Sequence, residues 1–276
     1  MSRRVVITAD DLGREQQTTA VITDLLADAL ITATTIIPVS PHSFEAAAAM
    51  RELGVVPRLH VTLTSEGGLP GWRPLTSGRS LVDEVGLLPS DPFLLGARGE
   101  PTDVLAELEA QLGWQRDQGM APVAVDSHAG TLYGLHGRSF LAEALHWCAS
   151  YGFAFRLPRD PAPYLGGPVP TELAGPHRQA LELADRLGVA LPETIVTNRR
   201  SASDLGSYEA LRDAYLIMLA ELPDGISEVF LHPSSADAVR GPNGILRVWE
   251  ARLLRDPVWH DTLDREGIQR VEGWWP

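Results

Sequence analysis

The sequence predicts an α/β fold, a TIM-like (β/α) barrel of about seven strands with one unit missing or distorted, and three observations lead there. Short runs rich in Val and Ile alternate with longer stretches of helical period, the pattern of βα units around a mostly parallel sheet. The chain has 276 residues, 44% of them hydrophobic, and one α/β barrel takes about 250. No Pro/Ser-rich or charged linker, internal repeat or low-complexity tract divides it, so residues 1–276 read as one domain.

In chain order, residues 4–9 are the first strand and 32–38 the second. Residues 44–53 form a helix that follows Ser43 as a cap and stops at Gly54. Residues 58–64 are the third strand. In RLHVTLT, Leu59, Val61 and Leu63 fall on one face while His60, Thr62 and Thr64 fall on the other, so His60 is expected to face the barrel axis. Residues 65–101 are rich in Gly and Pro, contain Trp72, and exceed an ordinary connection; they are expected to form a lid or substrate wall. A helix over 104–118 follows Thr102 and Asp103 and ends at Gly119, and strands follow at 123–126 and 153–157. A helix over 208–222 follows Ser207, and the last strands are 228–231 and 268–271. A nucleotide-binding doubly wound sheet is disfavoured, because ADDLG after the first strand carries two carboxylates where a phosphate loop needs glycines.

Asp and Glu outnumber Lys and Arg by 36 to 23, and no basic run is dense enough to follow a phosphate backbone, so nucleic acid is not an expected partner. No apolar stretch approaches the about 20 residues that span a bilayer. MSRRVVITADD enters a strand pattern with no cleavable signal. A cytoplasmic protein with no membrane partner is the expectation, and the acidic surface is compatible with a monomer or a homodimer. Cys148 is the only cysteine, which excludes an internal disulfide and a cysteine-built zinc site; beside Leu145 and Trp147 it reads as a small buried apolar residue.

Four strand ends carry the chemistry: ITADD (Asp10, Asp11), RLHVT (His60), VAVDSH (Asp126, His128) and VFLHPS (His232). In a parallel barrel the C-terminal strand ends share one rim, so these residues converge despite their distance in sequence. Two imidazoles and a carboxylate make a three-ligand site with room for water or substrate. A divalent ion there would activate water and polarise a carbonyl, leaving a base and an acid to be supplied. Asp10 and Asp11 suit a division of labour, one binding metal and the other the water, and His232 is placed to protonate a leaving amine or alkoxide. Asp126 either contacts the substrate or is a partner orienting His128. Trp72, Tyr133 and Trp274 or Trp275 offer flat faces for a sugar ring. Of the other histidines, only His136, close after DSH, stays in view.

At these residues the chain resembles the YdjC family of carbohydrate deacetylases, which includes enzymes that remove an acetyl group from chitooligosaccharides. TADDLG is similar to that family's NADDFG, RLHVTLTSEGG to LHLTLTEG, AVDSHAG to its DSHxH segment, FRLPR to its arginine-proline segment, and EVFLHPS with the GIQRVEGW tail to ELMxHPG and the closing strand. The likeness keeps the same order along essentially the whole chain. It implies a distorted (β/α) barrel holding one divalent metal ion (Mg²⁺ or Zn²⁺) on Asp11, His60 and His128, with Asp10 as general base, His232 as general acid, and Arg156 or Arg159 in contact with a small carbohydrate substrate. Gly130 and Leu132 stand where many members have further histidines, and Ser234 replaces the glycine of HPG, so the substrate pocket is expected to differ. Rival readings are a metal-dependent sugar isomerase or aldolase, and a sugar-binding protein without catalysis.

Overall fold

The computed structural model describes residues 2–274. At the centre of one sheet lies β1 (Arg3–Leu12). On one side follow β2 (Ala33–Ile36), β3 (Arg58–Val61), β4 (Ala124–Ser127) and β5 (Ala154–Phe155), and on the other β7 (Gly225–Leu231) and then β6 (Ile195–Val196). Every pairing is parallel. Parallel neighbours need crossover connections. These are built from α1 (Gln16–Ala27), α2 (Ser43–Leu53), α3 (Pro92–Arg98), α4 (Pro101–Asp117), α5 (Leu141–Tyr151), α6 (Ala162–Leu165), α7 (Thr171–Leu187), α8 (Ala202–Leu205) and α9 (Tyr208–Ala220), with α10 (Gly244–Leu253) and α11 (Pro257–Arg265) after β7. The ends of the sheet meet. Backbone N–H groups of Phe155, Arg159 and Asp160 donate to the carbonyls of Ala190 (3.0 Å), Pro192 (3.0 Å) and Glu193 (2.8 Å). The sheet therefore curls into the distorted barrel that the sequence predicts.

Alternation along the strands sorts the residues. In β1, Val5, Ile7 and Ala9 join an outer core with Ile22 and Leu25 of α1, Leu211 and Tyr215 of α9, and Leu263 of α11. Val6 points the other way, into a cluster with Ala33, Ala124, Ala154, Ile226 and Trp274 that fills the N-terminal floor of the barrel. Above that floor the interior becomes polar. Thr8 donates to Glu228 (2.5 Å), as does Arg58 (2.9 Å), whose guanidinium lies 4.1 Å from the Trp274 ring centroid. The next layer holds Asp10, His60, Asp126 and Arg156, all buried. This is the layered filling of a TIM-like barrel, with charge where apolar branched residues are usual.

Some sequence expectations shift. The stave β6, only two residues long, lies outside every predicted strand, since two residues show no periodicity. The strand expected over 268–271 contracts to β8 (Gln269–Arg270), which lies beside the first turn of β1 that β2 does not reach. Ser207 caps α9 by accepting from the Ala210 N–H. Ser43 instead lies inside α2, and Thr102 and Asp103 lie inside α4. Cys148 is buried, and burial pushes its thiol pKa up. No helix among the described residues is long and apolar enough to cross a membrane. Trp275 lies outside the described residues.

Candidate active site

The end of β1 is bent for its task. Its register against β2 breaks between Ala9 and Leu12, and Asp11 sits at φ 73°, in the left-handed region that Asp tolerates better than most residues. In a regular strand neighbouring side chains point to opposite faces. The irregularity brings both carboxylates to the same cleft, with Asp10 2% and Asp11 1% exposed.

Three donor atoms converge there. Asp11 Oδ1 lies 3.3 Å from His60 Nε2 and 3.4 Å from His128 Nδ1, and the two imidazole nitrogens are 3.3 Å apart. His60 Nδ1–H donates to Asp126 Oδ1 at 2.7 Å, which aims Nε2 at the centre of the group. Asp11 Oδ1 is buried and accepts no hydrogen bond. A buried carboxylate oxygen left unbonded between two imidazoles fits a missing cation, and a carboxylate with two imidazoles is a donor set that zinc-like ions accept. Asp10, His60 and Asp126 are also close enough to share an ion, but Arg156 already fills that place.

Arg156 is held on three carboxylates. Its Nε–H donates to Glu228 (3.1 Å), Nη1 meets Asp10 and Asp126 (2.7 Å each), and Nη2 donates to Asp10 (2.9 Å) and Glu228 (2.8 Å). Burial works against both charges of the Arg156–Asp10 pair. The neighbouring carboxylates nevertheless hold the Arg156 pKa well above its usual value, and Arg156 and then His60 keep Asp10 below the usual carboxylate range. Asp11 is likewise held well below that range: burial opposes its charge, but Arg247, bonded to its Oδ2 at 2.7 Å, and both histidines prevail. For His60, burial disfavours the imidazolium, yet Asp126, Asp11 and Asp10 raise its pKa to about 10.

His232 is half-buried at the same cleft, with 35% of its side chain exposed. Its backbone N–H donates to Glu250 Oε2 (2.7 Å), which also lies 3.9 Å from the ring Nδ1, and Tyr215 donates to the other oxygen of Glu250 (2.8 Å). The cleft has a volume of 990 Å³. The 65–101 segment is its wall: Glu66, Ser90 and Phe93 face the cleft, while Leu75 and Thr76 N–H groups donate to the buried Glu107 of α4 (2.9 Å each) and fasten the segment down.

The pattern of the YdjC-like protein family matches residues 4–265, nearly the whole chain and every strand end described above. This chain belongs to the YdjC family. A relative named carbohydrate deacetylase, from Thermus thermophilus, is 34% identical over 92 residues, a stretch that spans only 33% of this chain and 33% of that protein. The crystal structure of a protein from Enterococcus faecalis V583 described as a cellobiose-phosphate cleavage protein has a TM-score of 0.78 at 21% identity, covering 98% of this chain and 97% of that one. An uncharacterized Agrobacterium tumefaciens C58 protein gives 0.54 at 13% identity, over 97% and 86%. At such identities these two likenesses show the fold alone.

In this YdjC-family chain, the cleft gathers Asp10, Asp11, His60, His128, His232, Arg156, Tyr133 and His136. Other candidates fall elsewhere. Asp126 is fully buried behind His60, which it orients in place of His128. Trp72, 2% exposed, packs behind His128 with ring centroids 5.8 Å apart and gives no face to a sugar. Arg159 pairs with Asp185 (2.7 Å) outside the cleft. Trp274 lies on the barrel floor beneath Arg58. Arg156 reaches the cleft, where four of its hydrogen bonds go to Asp10 and Glu228 and position Asp10. Sequence reasoning missed Arg247, Glu66, Glu228 and Glu250. Only Glu228 left a signal, a charge inside the apolar run of a central strand, which is tolerated when paired.

Proposed function

We propose that this protein is a metal-dependent hydrolase that removes the acetyl group from an N-acetylated sugar or oligosaccharide. The observation that carries the reading is the unbonded Asp11 Oδ1 between His60 Nε2 and His128 Nδ1, flanked by Asp10 and His232. The name of the Thermus relative supports the substrate class. Asp11, His60 and His128 would hold one divalent ion, Mg²⁺ or Zn²⁺; when bound, such an ion lowers the pKa of water and polarises an acyl oxygen.

The chain's own groups do the rest. Asp10 stays ionised because Arg156 grips both its oxygens, and it takes the proton of the attacking water. His232, with Glu250 beside Nδ1, delivers a proton from Nε2 to the departing amine. Asp126 fixes the His60 tautomer, and Arg247 holds the second oxygen of Asp11 so that only Oδ1 faces the histidines. Chelator-stripped protein is to be incubated with N-acetylglucosamine oligomers and added Mg²⁺, Mn²⁺, Co²⁺ or Zn²⁺, and acetate measured. Metal-dependent acetate is the expected result. Bound metal with no acetate under any ion would overturn the reaction, and sugar turnover without acetate would favour the isomerase or aldolase.

A further inference from the structure

A second, almost wholly apolar cavity of 70 Å³ adjoins the cleft. Tyr133, Leu135, Tyr164, Leu165 and Ile195 border both spaces, and Leu157, Val169 and Leu173 close the far side. The polar groups at its edge are already engaged. Tyr133 donates its hydroxyl to the Arg156 carbonyl (2.6 Å), and His177 Nε2–H donates to the Pro158 carbonyl (2.8 Å). What remains is hydrocarbon, a surface that water gains little by wetting.

We propose that this cavity receives the hydrocarbon chain of an N-acyl group longer than acetyl, so that the site releases short-chain fatty acids of about four to six carbons from amino sugars. The inference rests on the amide-hydrolysis reading above and narrows its substrate. Size sets the length: a water-sized group takes roughly 10–15 Å³ by this measure, so 70 Å³ holds about five. Position selects the acyl chain over an apolar aglycone. Tyr133 ends the turn that begins at His128, and its hydroxyl is bonded to the backbone carbonyl of Arg156, whose side chain holds Asp10, so the wall that cavity and cleft share stands on the segments that carry the groups meeting the acyl carbon. The sugar is left the polar rim of Asn198, Arg200 and Ser201. The step balances as hydrolysis: water adds to the acyl carbon, the C–N bond breaks, and a carboxylic acid and a free amine result.

The test uses the full-length, metal-loaded protein and N-acetyl, N-butyryl, N-hexanoyl and N-decanoyl glucosamine oligomers, with amine release as the readout. Each buried methylene contributes about fourfold, so kcat/KM rises at least tenfold from acetyl to butyryl or hexanoyl and falls at decanoyl. Val169→Trp lowers the hexanoyl-to-acetyl ratio at least tenfold, and Leu173→Ala, which deepens the cavity, moves the preferred length upward. A wild-type protein that prefers acetyl, with a ratio that Val169→Trp does not move, overturns the proposal. So does a length dependence that follows the alkyl group of N-acetylglucosamine alkyl glycosides instead. If no acyl sugar is cleaved, the amide-hydrolysis reading fails separately. The cavity is then tested by thermal shift: stabilisation that grows from N-acetyl to N-hexanoyl glucosamine and vanishes in Val169→Trp supports it, and equal shifts overturn it.

Discussion

Metal binding should expel a proton from His60. In the metal-free protein Asp126, Asp11 and Asp10 overcome the cost of burial and raise the His60 pKa to about 10, so at pH 7 the imidazole is charged and its Nε2 carries the proton that an ion must displace. Three pH units separate pH 7 from that pKa, which at 1.36 kcal/mol per unit is a competition of about 4 kcal/mol, or roughly a thousandfold in affinity. Apparent affinity for Zn²⁺ should therefore rise close to tenfold per pH unit between pH 6 and 9. Titration calorimetry in buffers of differing ionisation enthalpy should count nearly one proton released per ion at pH 7. Asp126→Asn removes the largest raising influence, so the count should fall while affinity drops about 10–100-fold through loss of the tautomer anchor. The sign for stability follows the same pKa. Because it is higher folded than unfolded, its contribution is fully present below about pH 6.5 and lost as pH rises toward 10, so the metal-free melting temperature should fall across that window. Zinc binding with no proton release, or a count unchanged by Asp126→Asn, would refute the reasoning.

His232→Ala should keep metal stoichiometry by atomic emission while kcat falls about 10²–10⁴-fold, the range for a lost general acid; loss of metal instead would make His232 a ligand. Arg156→Met takes the guanidinium from Asp10, Asp126 and Glu228 in the barrel interior and leaves Asp10 without its cation, and denaturant unfolding should show a loss of about 3–5 kcal/mol; a loss under about 1 kcal/mol would mean that water already reaches these carboxylates. Gly96→Ala would place a methyl carbon 1.8 Å from the His136 carbonyl oxygen. The shift of α3 against the cleft wall should cost about 1–3 kcal/mol, checked by thermal unfolding, with unchanged stability contradicting the close packing.

The cleft position of His60 was legible because RLHVTLT alternates apolar and polar residues through and beyond β3, and those of His128 and His232 because an apolar run stops at each of them. Asp10 and Asp11 were legible as a pair at a strand end, but the means was not, since period-2 geometry sends neighbours apart and the register break with φ 73° at Asp11 brings both to the cleft. Arg247 and Glu250 come from a helix and Glu66 from a long loop, so no strand-end pattern marks them; they are found only once the chain is packed. Trp72 was misread because an aromatic in a Gly- and Pro-rich segment suggests a binding face, whereas here its bulk fills the space behind His128. The seventh stave was invisible for want of length.

The charges decide where an ion can sit. Asp10, Asp11, Asp126 and Glu228 are buried in the barrel mouth beside Arg58, Arg156 and Arg247, and Glu66 shares Arg247 with Asp11. Uncompensated buried charge costs several kcal/mol, so each of these carboxylates needs a positive neighbour. Around Asp10 and Asp126 the compensation is permanent, because a guanidinium does not lose its proton. Around Asp11 Oδ1 it is the His60 proton, which is exchangeable. At the position ringed by Asp11, His60 and His128, a cation would therefore replace a proton without breaking an arginine pair. On the proposed reading, that exchange is what would let the site load an ion and still hold together without it.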